Sequence, residues 1–258
     1  MFLGMPTLIE KSDVKDCVKL CESLGLDFIE LNMNLPEYQP DRIDVEKLVD
    51  VAKKSGEKYT IHLDENFNPC DFNAYVSKAY IRTLKDTFDI AKRIGANVIN
   101  THLSKGVYFT MPDRKIFLFE KYLDSYVESV KAFRDFCEKE IGGYGIKICI
   151  ENTNGYEDFQ KKAIDILLES QAFGLTFDIG HNRASGGKDE DFIVEREDKL
   201  RHFHIHDALL GRDHLTLGAG DLDIAKYLKH AEDLGASAVI ETKTADALRA
   251  SCEFIKNL

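Results

Sequence analysis

The chain has no tryptophan, no CxxC pair, no Pro/Ser-rich or low-complexity linker and no apolar run of the length a membrane helix needs. A helical span requires roughly 18–20 consecutive apolar residues, and no segment reaches that length. Met1–Ile9 carries neither a basic region nor an apolar h-region for export, and the expected compartment is the cytoplasm. Six cysteines are present (Cys17, Cys21, Cys70, Cys137, Cys149, Cys252). Cys17 and Cys21 lie one helical turn apart, but a structural zinc needs two further ligands at matching spacing, so all six read as buried, reduced thiols. Positive charge is also in deficit. Lys and Arg number 34 against 45 Asp and Glu, a net charge of -11, which argues against a sequence-independent grip on nucleic acid or an anionic membrane.

What is present is the composition of a globular protein: 258 residues, 44% hydrophobic and 31% charged. A chain this long buries about 70–75% of its unfolded surface and folds without disulfides or a structural metal. Short β-branched runs alternate with amphipathic segments. The runs are Phe2–Leu8, Asp27–Asn32, Lys58–Leu63, Asn97–His102, Ile146–Glu151, Leu175–Asp178, His202–His206 and Ala238–Glu241. Between them, helical spacing covers Ser12–Leu24 (with Ser12 as N-cap), Val45–Lys54, Asn73–Ile94, Phe117–Glu138, Phe159–Ser170, Asp191–Glu197, Ile224–Leu234 and Ala245–Lys256. Gly25, Gly56, Gly95, Gly174 and Gly235 punctuate the returns to the next strand, as left-handed helix caps do. About eight β-then-α units predict one domain over residues 1–258, a closed parallel (β/α)8 barrel of the α/β class with an apolar interior, and an open doubly wound sheet is the alternative.

Polar residues fall at the predicted strand ends, which in such a barrel face one site. His62, His102, Glu151, Asp178 with His181, the "HFHIHD" run and Glu241 end six successive strands. Unpaired buried charges cost several kcal/mol each, so a shared divalent cation is the economical explanation. Parity puts His202, His204 and His206 on one strand face, with His202 deeper in the barrel. Glu151, Asp178, His204 and Glu241 form an oxygen-rich set that suits one Mn²⁺, Mg²⁺ or Co²⁺ and leaves Zn²⁺ open. Two carboxylates on one cation suggest proton abstraction α to a carbonyl. "TLGAGD" reads either as an anion cradle or as a tight loop. The aromatic run after His102 reads as a lid, as helix packing or as a subunit contact, and oligomeric state stays open. Asn32 and Asn152 sit where they could bind hydroxyls, and Lys105 and Lys243 are rim cations.

The ordered motifs "IENT", "FDIGH", "HIHD", "GRDHLTLGAGD" and "IET" resemble the xylose isomerase-like barrel superfamily of sugar isomerases, epimerases and endonuclease IV. Resemblance to its ketose 3-epimerase branch implies that Glu151, Asp178, a strand-seven histidine and Glu241 hold the metal. It makes Glu151 and Glu241 the acid/base pair, and Glu157, His181 and Arg212 substrate contacts. His62, His102 and His214 also join the expected substrate site. Epimerase spacing selects His206 on strand seven, whereas the "H-x-x-D" pattern selects His204 paired with Asp207; His204 is the choice made here. The endonuclease branch, with three zincs, matches at His62, His102, Glu151, Asp178, His181, His204, His214 and Glu241. It differs at Arg212, where it carries a zinc-binding Asp; a cation there disfavours a third metal. The expectation is therefore a metal-dependent isomerase or epimerase acting on a small carbohydrate, with no nucleic-acid partner. An abasic-site endonuclease or an inosose or sugar-acid dehydratase is the alternative.

Overall fold

Each β-branched run becomes a short strand, and each amphipathic segment returns the chain to the start of the next. The computed structural model describes residues 2–11 and 13–258. The strands are β1 Phe2–Pro6, β2 Phe28–Asn32, β3 Lys58–His62, β4 Val98–His102, β5 Tyr108–Thr110, β6 Lys115–Phe117, β7 Lys147–Glu151, β8 Phe173–Asp178, β9 Leu200–Ile205, β10 Asp207–Leu209, β11 Arg212–Leu215 and β12 Ser237–Ile240. The α-helices are α1 Val14–Leu24, α2 Val45–Ser55, α3 Ala74–Ile94, α4 Leu118–Lys121, α5 Leu123–Ile141, α6 Asp158–Leu168, α7 Ile179–Ala184, α8 Glu190–Val194, α9 Ile224–Asp233 and α10 Ala245–Lys256. Eight strands close a parallel barrel in the order β1-β12-β9-β8-β7-β4-β3-β2, and β5-β6 and β10-β11 form two small antiparallel hairpins. Among the described residues no helix is long and apolar enough to cross a membrane.

The apolar core lies between strands and helices. Ile29, Leu31 and Ile61 share a buried cluster with Val18, Leu48, Leu84 and Phe88, while Phe177 packs against Tyr227 and Phe203 against His230 of α9. All six cysteines are free and buried.

Local differences from the sequence reading have physical causes. Asp13 caps α1, accepting from Lys15 N at 2.8 Å; Ser12 lies outside the described residues. The single helix expected over Phe117–Glu138 is a strand, a short α4 and then α5, and the aromatic run before it is the β5-β6 hairpin. Val107, Tyr108, Phe109 and Met111 stay exposed there. Gly174 is no cap: it sits inside β8, where a Cβ would lie 3.0 Å from Lys199 O and 3.1 Å from Arg201 Cγ. The left-handed glycine before β7 is Gly145.

The barrel interior is not wholly apolar. Glu30, Thr60, Asn100, His202 and His204 are all buried. This column persists because its charges meet: Thr60 Oγ1 donates to Glu30 Oε2 at 3.0 Å, and His202 Nε2 lies 3.1 Å from the same oxygen.

Another buried acid lies outside both the column and the strand ends. Glu57, before β3, accepts from Cys21 Sγ at 3.6 Å, and burial raises its carboxyl to about 7. Because the folded chain holds that proton more tightly than the unfolded one, this contribution to stability is complete below about pH 4.5 and is lost as pH rises through about 7. Glu57→Gln should therefore raise the melting temperature relative to the parent at pH 8 more than at pH 4.5. A difference that does not change with pH would show that Glu57 is not a buried acid.

Candidate metal centre

The C-terminal ends of β7, β8, β9 and β12 deliver the expected set to one place. Ligand atoms of Glu151, Asp178, His204 and Glu241 all lie within 4.8 Å of one another. His204 Nδ1 is 3.2 Å from Glu241 Oε2, 3.3 Å from Glu151 Oε1 and 3.8 Å from Asp178 Oδ2. Glu151, Asp178 and His204 are fully buried, and the Glu241 side chain retains 16% exposure.

Four atoms of the set, Glu151 Oε1, both ring nitrogens of His204 and Glu241 Oε2, are buried and make no hydrogen bond, and all but His204 Nε2 face the centre. Orphaned buried acceptors cost about 1–3 kcal/mol each, so folding tolerates them only where something else satisfies them. Protons balance part of the charge. Burial pulls His181 and His62 down, but Asp178 and Glu151 raise His181 to about 10, and Glu151 raises His62 to about 9. Burial opposes ionisation of Glu151, but His204 and His102 hold it well below the usual carboxylate range. A divalent cation displaces such protons when it binds, and three carboxylates with one imidazole are a donor set that fits one.

Surrounding residues aim these ligands. Glu151 Oε2 receives His62 Nε2 and His102 Nε2, each at 3.3 Å, and the Asn100 amide. Glu30 Oε1 sits 3.0 Å from His204 Nε2, which leaves Nδ1 to face the carboxylates. Such a carboxylate behind a ligating imidazole fixes its orientation. Glu30→Gln is expected to weaken metal affinity roughly 10–100-fold, read by competition with a chromophoric chelator. Unchanged affinity would remove Glu30 from that role.

His206 is not in the central set. Its Nδ1 accepts the His214 backbone N–H at 2.8 Å, so its Nε2–H donates to Asp178 Oδ2 at 3.1 Å. Gly180 makes this possible, since a Cβ there would sit 2.0 Å from His206 Cε1. His181 Nδ1 is 3.2 Å from Asp178 Oδ2 and 3.4 Å from Glu151 Oε1. His214, held at φ 52, points Nε2 at Glu241 Oε1, 3.2 Å away.

The remaining candidate residues lie at the rim or in the surrounding loops. Arg212 and Asp213 are both exposed on β11, but the Asp213 carboxylate reaches within 3.0 Å of His214 Nδ1 and 4.0 Å of His181 Nε2. Glu157 caps α6 at the rim: Lys105 Nζ reaches its Oε1 at 3.0 Å, and its backbone N–H donates to Gln160 Oε1. Asn152 is spent on the Asp178 backbone, at 2.8 and 2.9 Å. Lys243 Nζ pairs with Glu241 Oε1 at 3.0 Å. The "TLGAGD" loop does cradle an anion, but it is the protein's own: the Asp207 carboxylate accepts from Ala208, Gly218, Gly220 and Leu222. A cavity of about 160 Å³ opens beside Glu241, with Thr7, Asn32 and Lys243 in its wall.

Sequence reasoning missed Glu30, Asn100 and Asp213. Only the Glu30 signal was readable: Phe28, Glu30 and Asn32 share one strand face, opposite Ile29 and Leu31.

Comparison with known proteins gives a consistent result. The family described as xylose isomerase-like TIM barrel matches residues 18–258. An inosose isomerase of Bacillus velezensis is 26% identical over 260 residues, 92% of this chain and 85% of that protein. Two solved structures share the fold. A D-tagatose 3-epimerase-like protein superposes with TM-score 0.78 at 21% identity, over 100% of this chain and 96% of the other. The IOLI protein, solved "with a binding zinc atom", gives TM-score 0.70 at 21% identity, over 100% and 97%.

Proposed function

The chain belongs to the xylose isomerase-like TIM barrel family, and from that premise we propose that it is a divalent-metal-dependent isomerase or epimerase. Its substrate is a small sugar, sugar phosphate or hydroxycarbonyl acid, and proton transfer runs through an enediolate. The observation that carries this reading is the convergence of Glu151 Oε1, Glu241 Oε2 and His204 Nδ1, buried and without hydrogen-bond partners. Similarity to an inosose isomerase and to a ketose-epimerase-like structure supports the same class, and the zinc of the IOLI structure supports a metal.

Glu151, Asp178, His204 and Glu241 would hold the cation, which supplies Lewis-acid polarisation of the substrate carbonyl. Glu241 is the more accessible base, because its side chain keeps some exposure beside the 160 Å³ cavity. Glu151 is the enclosed partner, held by His62, His102 and Asn100. One carboxylate removes the α-proton and the other returns one, at the same face or the opposite one. His181 and His214 line the same centre and orient oxygens of the substrate.

The test is a set of ketoses, sugar phosphates and inososes in deuterated buffer with protein supplied with Mn²⁺, Co²⁺, Mg²⁺ or Zn²⁺. Loss of an α-proton signal supports the reading; no exchange with any of them counts against it.

One observation favours a second reading, the endonuclease-like centre with several zincs. His181, His206 and His214 form a further group of ligand atoms within 4.8 Å, with Asp213 at its edge. That reading expects nicking of abasic-site DNA. The net charge of -11 opposes it.

A further inference from the structure

The end of the barrel away from the metal centre carries a hollow of about 620 Å³, within the volume range of small-molecule sites. Lys58, Lys147 and Arg201 line it from the starts of β3, β7 and β9, strands spaced round the ring. Gly95, Gly145 and Gly235 line it too, and a Cβ at any of them would meet open space.

The charge here runs against the rest of the chain. Net charge is -11, yet among the described residues none of these three cations has a carboxylate within 4.0 Å. Arg201 donates only to backbone, to Leu200 O at 2.7 Å and Asp198 O at 2.9 Å. Lys147 Nζ donates to the Gln171 carbonyl, and Lys58 Nζ lies 4.7 Å from the centre of the Phe2 ring. Acidic neighbours in sequence are engaged elsewhere: Glu57 with Cys21, and Asp198 with Lys199 at 3.5 Å.

Two local features place the guanidinium. The β8-β9 pairing passes from Leu175↔Leu200 to Thr176↔His202, so Arg201 is the extra residue of a bulge, a device that re-aims a side chain. Gly174 leaves the space that the Arg201 stem crosses. Partial burial, with Arg201 and Lys199 nearby, pushes the Lys147 ammonium below its ordinary value. Unneutralised like charges round a concavity form an anion site.

We propose that this hollow binds a phosphate-bearing small molecule of di- or triphosphate size, held by Lys58, Lys147 and Arg201 through charge-assisted hydrogen bonds. It is separate from the metal centre and does not rest on the reaction proposed above.

The test is calorimetric titration of the full chain with pyrophosphate, ATP and inorganic phosphate, repeated with Lys147→Met/Arg201→Met and with Glu241→Gln. Losing two charged hydrogen bonds, at about 1.5–3 kcal/mol each, should weaken binding by at least about 100-fold in the double variant. Glu241→Gln should bind as the parent does. A cooperative melting transition in the double variant shows that it is folded and that the loss belongs to binding. Tighter binding of ATP than of pyrophosphate would mark the occupant as a nucleotide, and equal affinities would mark the phosphates alone as recognised. No binding by the parent, or binding kept in the double variant and lost in Glu241→Gln, would overturn the proposal; the latter places the anion at the metal centre.

Discussion

Glu241→Gln, at saturating metal, is expected to slow exchange of the substrate α-proton with solvent deuterium by roughly 10²–10⁴-fold, the usual contribution of a positioned general base. Its Oε2 faces the centre without a hydrogen-bond partner, while His214 and Lys243 hold Oε1 at 3.2 and 3.0 Å. Glutamine preserves the size and those tethers but cannot accept a proton at neutral pH. The melting temperature should stay near that of the parent, which separates lost chemistry from lost fold. Retained exchange in a folded, metal-loaded variant would remove Glu241 from the role of base.

Asp207→Ala should give the largest loss of stability. The Asp207 carboxylate accepts four backbone N–H groups: Ala208 and Leu222 on Oδ1 at 2.9 and 3.2 Å, Gly218 and Gly220 on Oδ2 at 2.9 Å. Close approach is built in, since a Cβ on Gly220 would sit 2.2 Å from Asp207 Oδ1. Removing the buried carboxylate leaves those four donors without it, at a cost of about 3–5 kcal/mol in all, since each hydrogen bond to a charged group is worth about 1.5–3 kcal/mol and water can replace part of it. For a chain of this size that lowers the melting temperature by roughly 6–20 °C. Metal affinity should fall as well, because β11 holds His214 against Glu241. A shift of a degree or less would mean that the loop holds itself without Asp207.

Much of this was legible because barrel logic converts sequence order into position. Strand ends in a parallel barrel face one mouth, so His62, His102, Glu151, Asp178 and Glu241 could be assigned to a common site before any geometry was known. Period-two alternation likewise separated His204 from Phe203 and Ile205. What failed depended on loop geometry, which has no period. Arg212 and Asp213 are adjacent, and only the fold shows the Asp213 carboxylate reaching His214 Nδ1, 3.0 Å away. The Asp207 cradle was equally hidden: the loop's glycines were visible, but the anion they hold lies eleven or more residues earlier. Glu30 was overlooked for a different reason. Apolar neighbours make "FIELN" read as ordinary core, and only its approach to His204 across the barrel, 3.0 Å from Nε2, shows what the carboxylate does.

The central claim is that four converging side chains hold one divalent cation, and elemental analysis of protein purified without chelator tests it most directly. The expected result is about one equivalent of Mn, Co, Mg or Zn per chain, with the content lost in Asp178→Asn. Two or three zincs per chain would move the multinuclear reading ahead. No metal, even after reconstitution with each of the four ions, would contradict the claim.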